Sequence, residues 1–214
     1  MLEEALNDYL VLERRVSDGA SAMSLFEIHW RAAKTMFFLS ENHPDVDVQM
    51  RWITAGESMA NAAMTDCDSC VEGYYFAAVL KGRRAEKGGR GLAALKLVKE
   101  VRDLGQKAAA IDPAFENAAP LRLLAMLYAK APSWPTSVGD IDLAFEYARR
   151  ALEISDYPMN HLTLAEVFIA DDMPEQAKGE LNMVMEAPIE GLWGDESIRW
   201  RPIAEQLLAD ILDQ

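Results

Sequence analysis

The sequence predicts an all-α protein built as a solenoid of antiparallel helix hairpins. Three observations carry this: apolar residues recur at intervals of three and four along the chain, no segment sustains the alternation of a strand, and small residues return at roughly the spacing of one hairpin. Half of the 214 residues are apolar, enough for a continuous core in a single domain over residues 1–214 without a metal or other staple.

The first helix carries Leu2, Leu6, Tyr9, Leu10 and Val16 on one stripe, and Asp18-Gly19 stops it. A second is expected over 24–39, where Leu25, Ile28, His29, Ala32 and Met36 share a face and Asn42-His43-Pro44 breaks the pattern. Further helices are expected near 46–65, 70–85, 91–111, 117–130, 140–154, 160–170, 174–186 and 196–212, about ten in all. Pro202 is expected to open the last one, whose stripe of Ile203, Leu207, Leu208, Ile211 and Leu212 suits a terminal cap.

The clearest unit runs from Gly139 to Ile154, with Ala144 and Ala151 where a partner helix must cross closely and Ala148 between them. In the next hairpin Leu164, Ala165, Phe168 and Ala177 take the matching positions, and Ala144 and Ala177 stand 33 residues apart. Over 118–188 the pattern resembles the tetratricopeptide repeat, whose period is about 34 residues. That resemblance implies a right-handed superhelix of helix hairpins. It departs at Ala148, where the repeat usually has an aromatic residue. Leu121, Leu124, Ala125 and Tyr128 read as the first helix of the unit that Gly139–Ile154 completes. Tyr128 and Ala144 are 16 residues apart, where an unbroken repeat has about nine, so a loop of some seven extra residues is inserted between Lys130 and Gly139. Ala108 before Pro113, then Tyr74, Ala77 and Ala78, and finally Ala63 continue the pattern upstream more weakly.

Three segments, Ile111-Asp-Pro-Ala-Phe115, Leu124 to Tyr128 and Ala131-Pro-Ser-Trp-Pro-Thr-Ser-Val-Gly-Asp140, are similar to the T component associated with TRAP transporters. Trp30-Arg-Ala-Ala33 and Val71-Glu-Gly-Tyr-Tyr75 extend the likeness upstream. The resemblance implies a periplasmic helical-repeat lipoprotein that oligomerises, engages a periplasmic substrate-binding protein and holds a small apolar ligand. The chain departs from that pattern at its start, where Glu3, Glu4 and Asp8 replace the basic and apolar run of an export signal. As written it reads as cytoplasmic, and as periplasmic only if an export or lipoprotein segment was removed.

Charge narrows the function. With 21 Lys and Arg against 35 Asp and Glu, the net charge of −14 opposes nucleic acid and anionic membranes, and no run reaches the length of a membrane span. No P-loop, HExxH, GxSxG or complete GxGxxG pattern occurs, so no catalytic constellation, metal or cofactor is expected. Residues 81–90 form a basic run of Lys81, Arg83, Arg84, Lys87 and Arg90 with only Glu86 opposed, suited either to solvent or to an acidic partner. Lys87 to Gly91 reads as a hairpin turn or as a weak anion loop. Cys67 and Cys70 fit an incidental pair, a local disulfide, or metal and redox chemistry. His161 is expected to be packed and hydrogen-bonded.

The reading is a non-enzymatic binding module, a scaffold for a protein partner, with a T-component-like carrier of a small amphiphilic or apolar ligand as the alternative. The inner face of such a repeat is lined by first-helix positions, here Tyr75, Arg122, Met126, Lys130, Leu162 and Glu166, a mixed lining that suits a protein tail or an amphiphile. Trp134 joins them. Pro132 and Pro135 restrict the backbone around it, so its ring either completes the adjacent core or is held out for recognition.

Overall fold

A computed structural model of the chain describes residues 22–88, 91–188 and 194–212, together with Asn7 and Val11. The described residues form nine helices and no strand ladder, as the periodicity requires. The first expected helix, Leu2 to Val16, lies outside the described residues except for Asn7 and Val11, both helical. The chain divides into two compact units, Met1–Asp112 and Pro113–Gln214.

The first unit holds α1 (Ala22–Asn42), α2 (Val46–Asp66), α3 (Val71–Lys87) and α4 (Leu92–Ile111). Pro44 ends the α1 pattern, and the Asp45 carboxylate then starts α2 by accepting from the N–H groups of Asp47 and Val48, orphans of the first turn. α1 pairs with α2 and α3 with α4, and α3 also packs on α1 and α2. The crossings are close because the facing residues are small: Ala32, Ala33, Ala60, Ala63, Ala77, Ala78 and Ala108 are all buried. At Gly56 a Cβ would stand 3.0 Å from Leu80 Cδ1 and 3.2 Å from Met36 Cβ, tighter than ordinary contact. Trp30 of α1 stacks on Phe76 of α3, ring centroids 6.2 Å apart. Three cations of the basic run, Lys81, Arg83 and Arg84, serve this packing, while Lys87 is exposed. Lys81 pairs with Glu100 of α4 at 2.8 Å, Arg83 with Glu41 of α1 and with Glu86, and Arg84 with Glu57 of α2 at 2.7 Å. These cations are therefore spent on intramolecular ties between helices, while Arg90 lies outside the described residues.

The second unit holds α5 (Phe115–Lys130), α6 (Ile141–Ile154), α7 (Pro158–Ala170), α8 (Pro174–Glu186) and α9 (Gly194–Leu212). Pro158 and Pro174 open their helices, where a missing N–H costs nothing. α5 pairs with α6 and with α7, α7 with α8, and α9 covers α8. Ala144, Ala151, Ala165 and Ala177, small where helices cross closely, are all fully buried, as is Ala148 at the position the repeat usually gives to an aromatic residue. Leu162, Leu181, Val184, Trp200 and Ala204 form the core of the last hairpin and its covering helix. The terminal helix differs from expectation. Pro202 lies inside α9 and does not open it, and Ile203 and Leu212 are exposed. The buried stripe is instead Trp200, Ala204 and Ile211, with Leu207 and Leu208 partly covered, a phase set by the large indole.

Candidate functional site

The inserted loop, residues 131–140, reverses the chain from α5 to α6 through its own backbone. The Gly139 N–H donates to the Pro132 carbonyl at 2.9 Å, Asp140 N–H to the Tyr128 carbonyl at 3.0 Å, and the N–H groups of Thr136 and Ser137 both donate to the Ser133 carbonyl. A Cβ at Gly139 would fall on the Ala131 carbonyl oxygen and 2.9 Å from the Ala131 and Pro132 carbonyl carbons, so this closure requires glycine. The Asp140 carboxylate then caps α6 by accepting from Leu143 N–H at 3.1 Å. Tyr128, buried at the loop's root, stacks on Tyr147 with ring centroids 5.7 Å apart.

The loop, thus closed, directs its largest side chain outward. Trp134 is 85% exposed, and Pro132, Ser133, Pro135 and Thr136 beside it are exposed as well. Among the described residues its indole N–H has no acceptor. Completion of the adjacent core, one of the two roles open from sequence, is not what the ring does.

Arg122, Met126 and Lys130 lie on successive turns of α5, so they share a face that leads into the loop. Lys130 Nζ bonds Glu166 Oε1 of α7 at 3.0 Å. Arg122 Nη1 donates to Asn160 Oδ1 of α7 at 2.8 Å, and its guanidinium also donates to the carbonyls of Glu116 and Asn117 and lies 5.2 Å over the Tyr157 ring. Those two carbonyls belong to a left-handed turn at the start of α5, where Glu116, Asn117 and Ala118 all have positive φ. Three such residues in succession are strained, and the guanidinium together with the Ser155 hydroxyl on Asn117 Oδ1 holds them.

Six of the seven residues expected to line a binding face thus belong to one helix, its loop and the helix beside it, and five of them, Arg122, Met126, Lys130, Trp134 and Glu166, keep some exposed surface. Leu162 is 1% exposed in the core shared with α8 and α9, so it offers no surface. Tyr75 belongs to the first unit, half-buried on α3 with its ring edge-on to Phe76 at 5.1 Å.

The sequence reading missed Asn160. Wholly buried, it donates to the carbonyls of Ala151 at 3.0 Å and Ser155 at 2.7 Å while accepting from Arg122, so it joins the end of α6 to α5 and α7. Its partners, Arg122, Ala151 and Ser155, lie outside its own helix, so the local sequence carried no signal for it. At the next residue along, His161 bonds Glu180 through Nδ1 at 2.6 Å and Asp156 through Nε2 at 2.7 Å. The Glu180 hydrogen bond raises its pKa above the ordinary 6.5, with Asp156 assisting and burial opposing.

Cys67 and Cys70 are joined as a disulfide, Cα atoms 5.5 Å apart, across the turn from α2 to α3. Among the described residues no group of three or more His, Cys, Asp or Glu is arranged to hold a metal ion, and no helix is long and apolar enough to cross a membrane.

No family model matches the sequence, and no curated protein does either. Among solved structures, the chain is similar to a thermophilic TPR protein of Thermus thermophilus, with a TM-score of 0.62 over 98% of this chain and all of that one, at 13% sequence identity. The likeness is one of fold. It agrees with the helical-repeat architecture read from the spacing of Ala144 and Ala177.

Proposed function

We propose that the protein is a non-enzymatic helical-repeat scaffold that binds a protein partner through the second unit, along the α5 and α7 face and the Trp134 loop. The observation that carries this reading is the outward tryptophan on a loop whose backbone is already closed by hydrogen bonds. Repeat insertions add nothing to helix stacking, and a rigid exposed aromatic binds at low entropic cost. The Lys130–Glu166 pair beside it offers both charges to a polar rim. Affinity capture of the wild-type chain and of Trp134→Ala, compared by quantitative mass spectrometry, tests it. The same defined partners should be retained by the first and lost by the second. Identical partner sets would remove the loop from the binding face.

One observation favours a second reading, a T-component-like protein that binds a substrate-binding protein and a small amphiphile. A disulfide persists in oxidising compartments such as the periplasm and is uncommon in the cytosol. Thiol labelling in intact cells separates the two: Cys67 and Cys70 should resist alkylation until reduced if the chain is exported, and should label directly if it is cytosolic.

A further inference from the structure

We infer that the Trp134 loop anchors a basic protein surface, the indole entering an apolar pocket rimmed by Lys and Arg. This rests on the interaction-module reading and adds the chemistry of the partner. Charge supplies the argument. Residues 113–214 hold 18 Asp and Glu against seven Lys and Arg, so this unit carries −11 of the chain's −14. Most of its few cations are occupied within the unit. Lys130 pairs with Glu166, Arg150 with Glu146 and Lys178 with Glu175, while Arg122 and Arg201 donate to backbone carbonyls. The exposed carboxylates of Asp142, Glu153, Asp171 and Asp172 are therefore opposed by little positive charge.

Within this acidic field residues 131–139 carry no charge at all. A neutral tip bearing one large aromatic, set in a unit of predominantly negative charge, has the composition of an anchor inside a charged rim. The rim steers and orients the partner, while the indole supplies the buried area and a hydrogen bond from its N–H to an acceptor in the pocket. Other occupants fit less well. Anionic lipid and nucleic acid meet repulsion, since the tip itself carries no cation to receive them. A second copy would present the same acidic surface to this one.

The experiment places the photo-crosslinker p-benzoylphenylalanine at position 134 of the full chain in living source cells, followed by peptide mapping of the adducts and binding measurements on the purified pair. The expected result is one dominant protein adduct, mapped to an apolar pocket bordered by Lys and Arg. Trp134→Ala should then weaken the purified complex on the order of 30-fold or more, with Trp134→Phe recovering most of the loss. Neutralising Asp142 and Glu153 together (D142N/E153Q) should slow association several-fold at low salt and leave dissociation unchanged. An adduct mapped to an acidic or neutral surface, to lipid or to a second copy overturns the inference while the scaffold reading stands. So does a complex that Trp134→Ala weakens by less than about twofold. If no adduct forms and affinity capture also returns no partner, both fail.

Discussion

Trp134 and Trp200 belong to the same unit and differ in almost every physical respect. Trp200 sits on a long helix at the position that helical phase turns inward, and the ring is completely buried among Leu181, Val184 and Ala204. Trp134 sits where the chain reverses direction by its own hydrogen bonds, so folding makes no demand on the ring, which is 85% exposed. The difference teaches that an aromatic residue belongs to the core when periodicity sets its direction. When a loop is closed by glycine and backbone bonds, the same residue is available for another task.

The largest expected effect lies on the buried side of this comparison. Trp200→Ala should cost about 3–5 kcal/mol of unfolding free energy in urea, because the cavity it leaves faces three helices that cannot collapse together. A cost below about 1 kcal/mol would mean that Trp200 is no more part of the core than Trp134. Asn160→Ala should come next, at about 2–3 kcal/mol, since it strips a partner from the Arg122 guanidinium and from the carbonyls of Ala151 and Ser155. It should also loosen the α5 and α7 face, so amide exchange of residues near Glu116 to Ala118 should accelerate. Unchanged exchange there would separate the network from the binding face.

A smaller, pH-dependent effect is expected at His161. Both ring nitrogens face carboxylates, so both bonds require the protonated ring, and the folded state holds that proton to a pH above 6.5. The stability contributed is full below the ordinary histidine pKa and is lost as pH rises through the raised folded value. The unfolding free energy of wild type minus that of His161→Gln should therefore be greater at about pH 6 than at about pH 9. A difference that grows with pH would contradict the doubly bonded ring.

Much of the fold was legible because helix crossings are spaced by geometry. Ala144, Ala151, Ala165 and Ala177 had to be small, and the excess length between Tyr128 and Ala144 had to leave the stack as a loop. The site was legible only in part. Leu162 and Glu166 share α7, which packs against α5, α6, α8 and α9, and its periodicity gives no sign of which face remains open. Asn160 finds its partners on α5 and at the end of α6, so no local pattern announces it. The basic run of α3 read as open to solvent or to an acidic partner because Glu41, Glu57 and Glu100 are distant in sequence and near in space. Pro202 resembled a helix opener and stands inside α9.

The central claim is that Trp134 is presented and not packed. The most direct measurement pairs urea unfolding of Trp134→Ala with its affinity for the partner that crosslinks at this position. The account predicts the smallest stability change of the series, less than about 1 kcal/mol, beside a binding loss of about 2 kcal/mol or more. A stability loss of about 3–5 kcal/mol with affinity retained in the folded fraction would contradict it, and would make Trp134 a second Trp200.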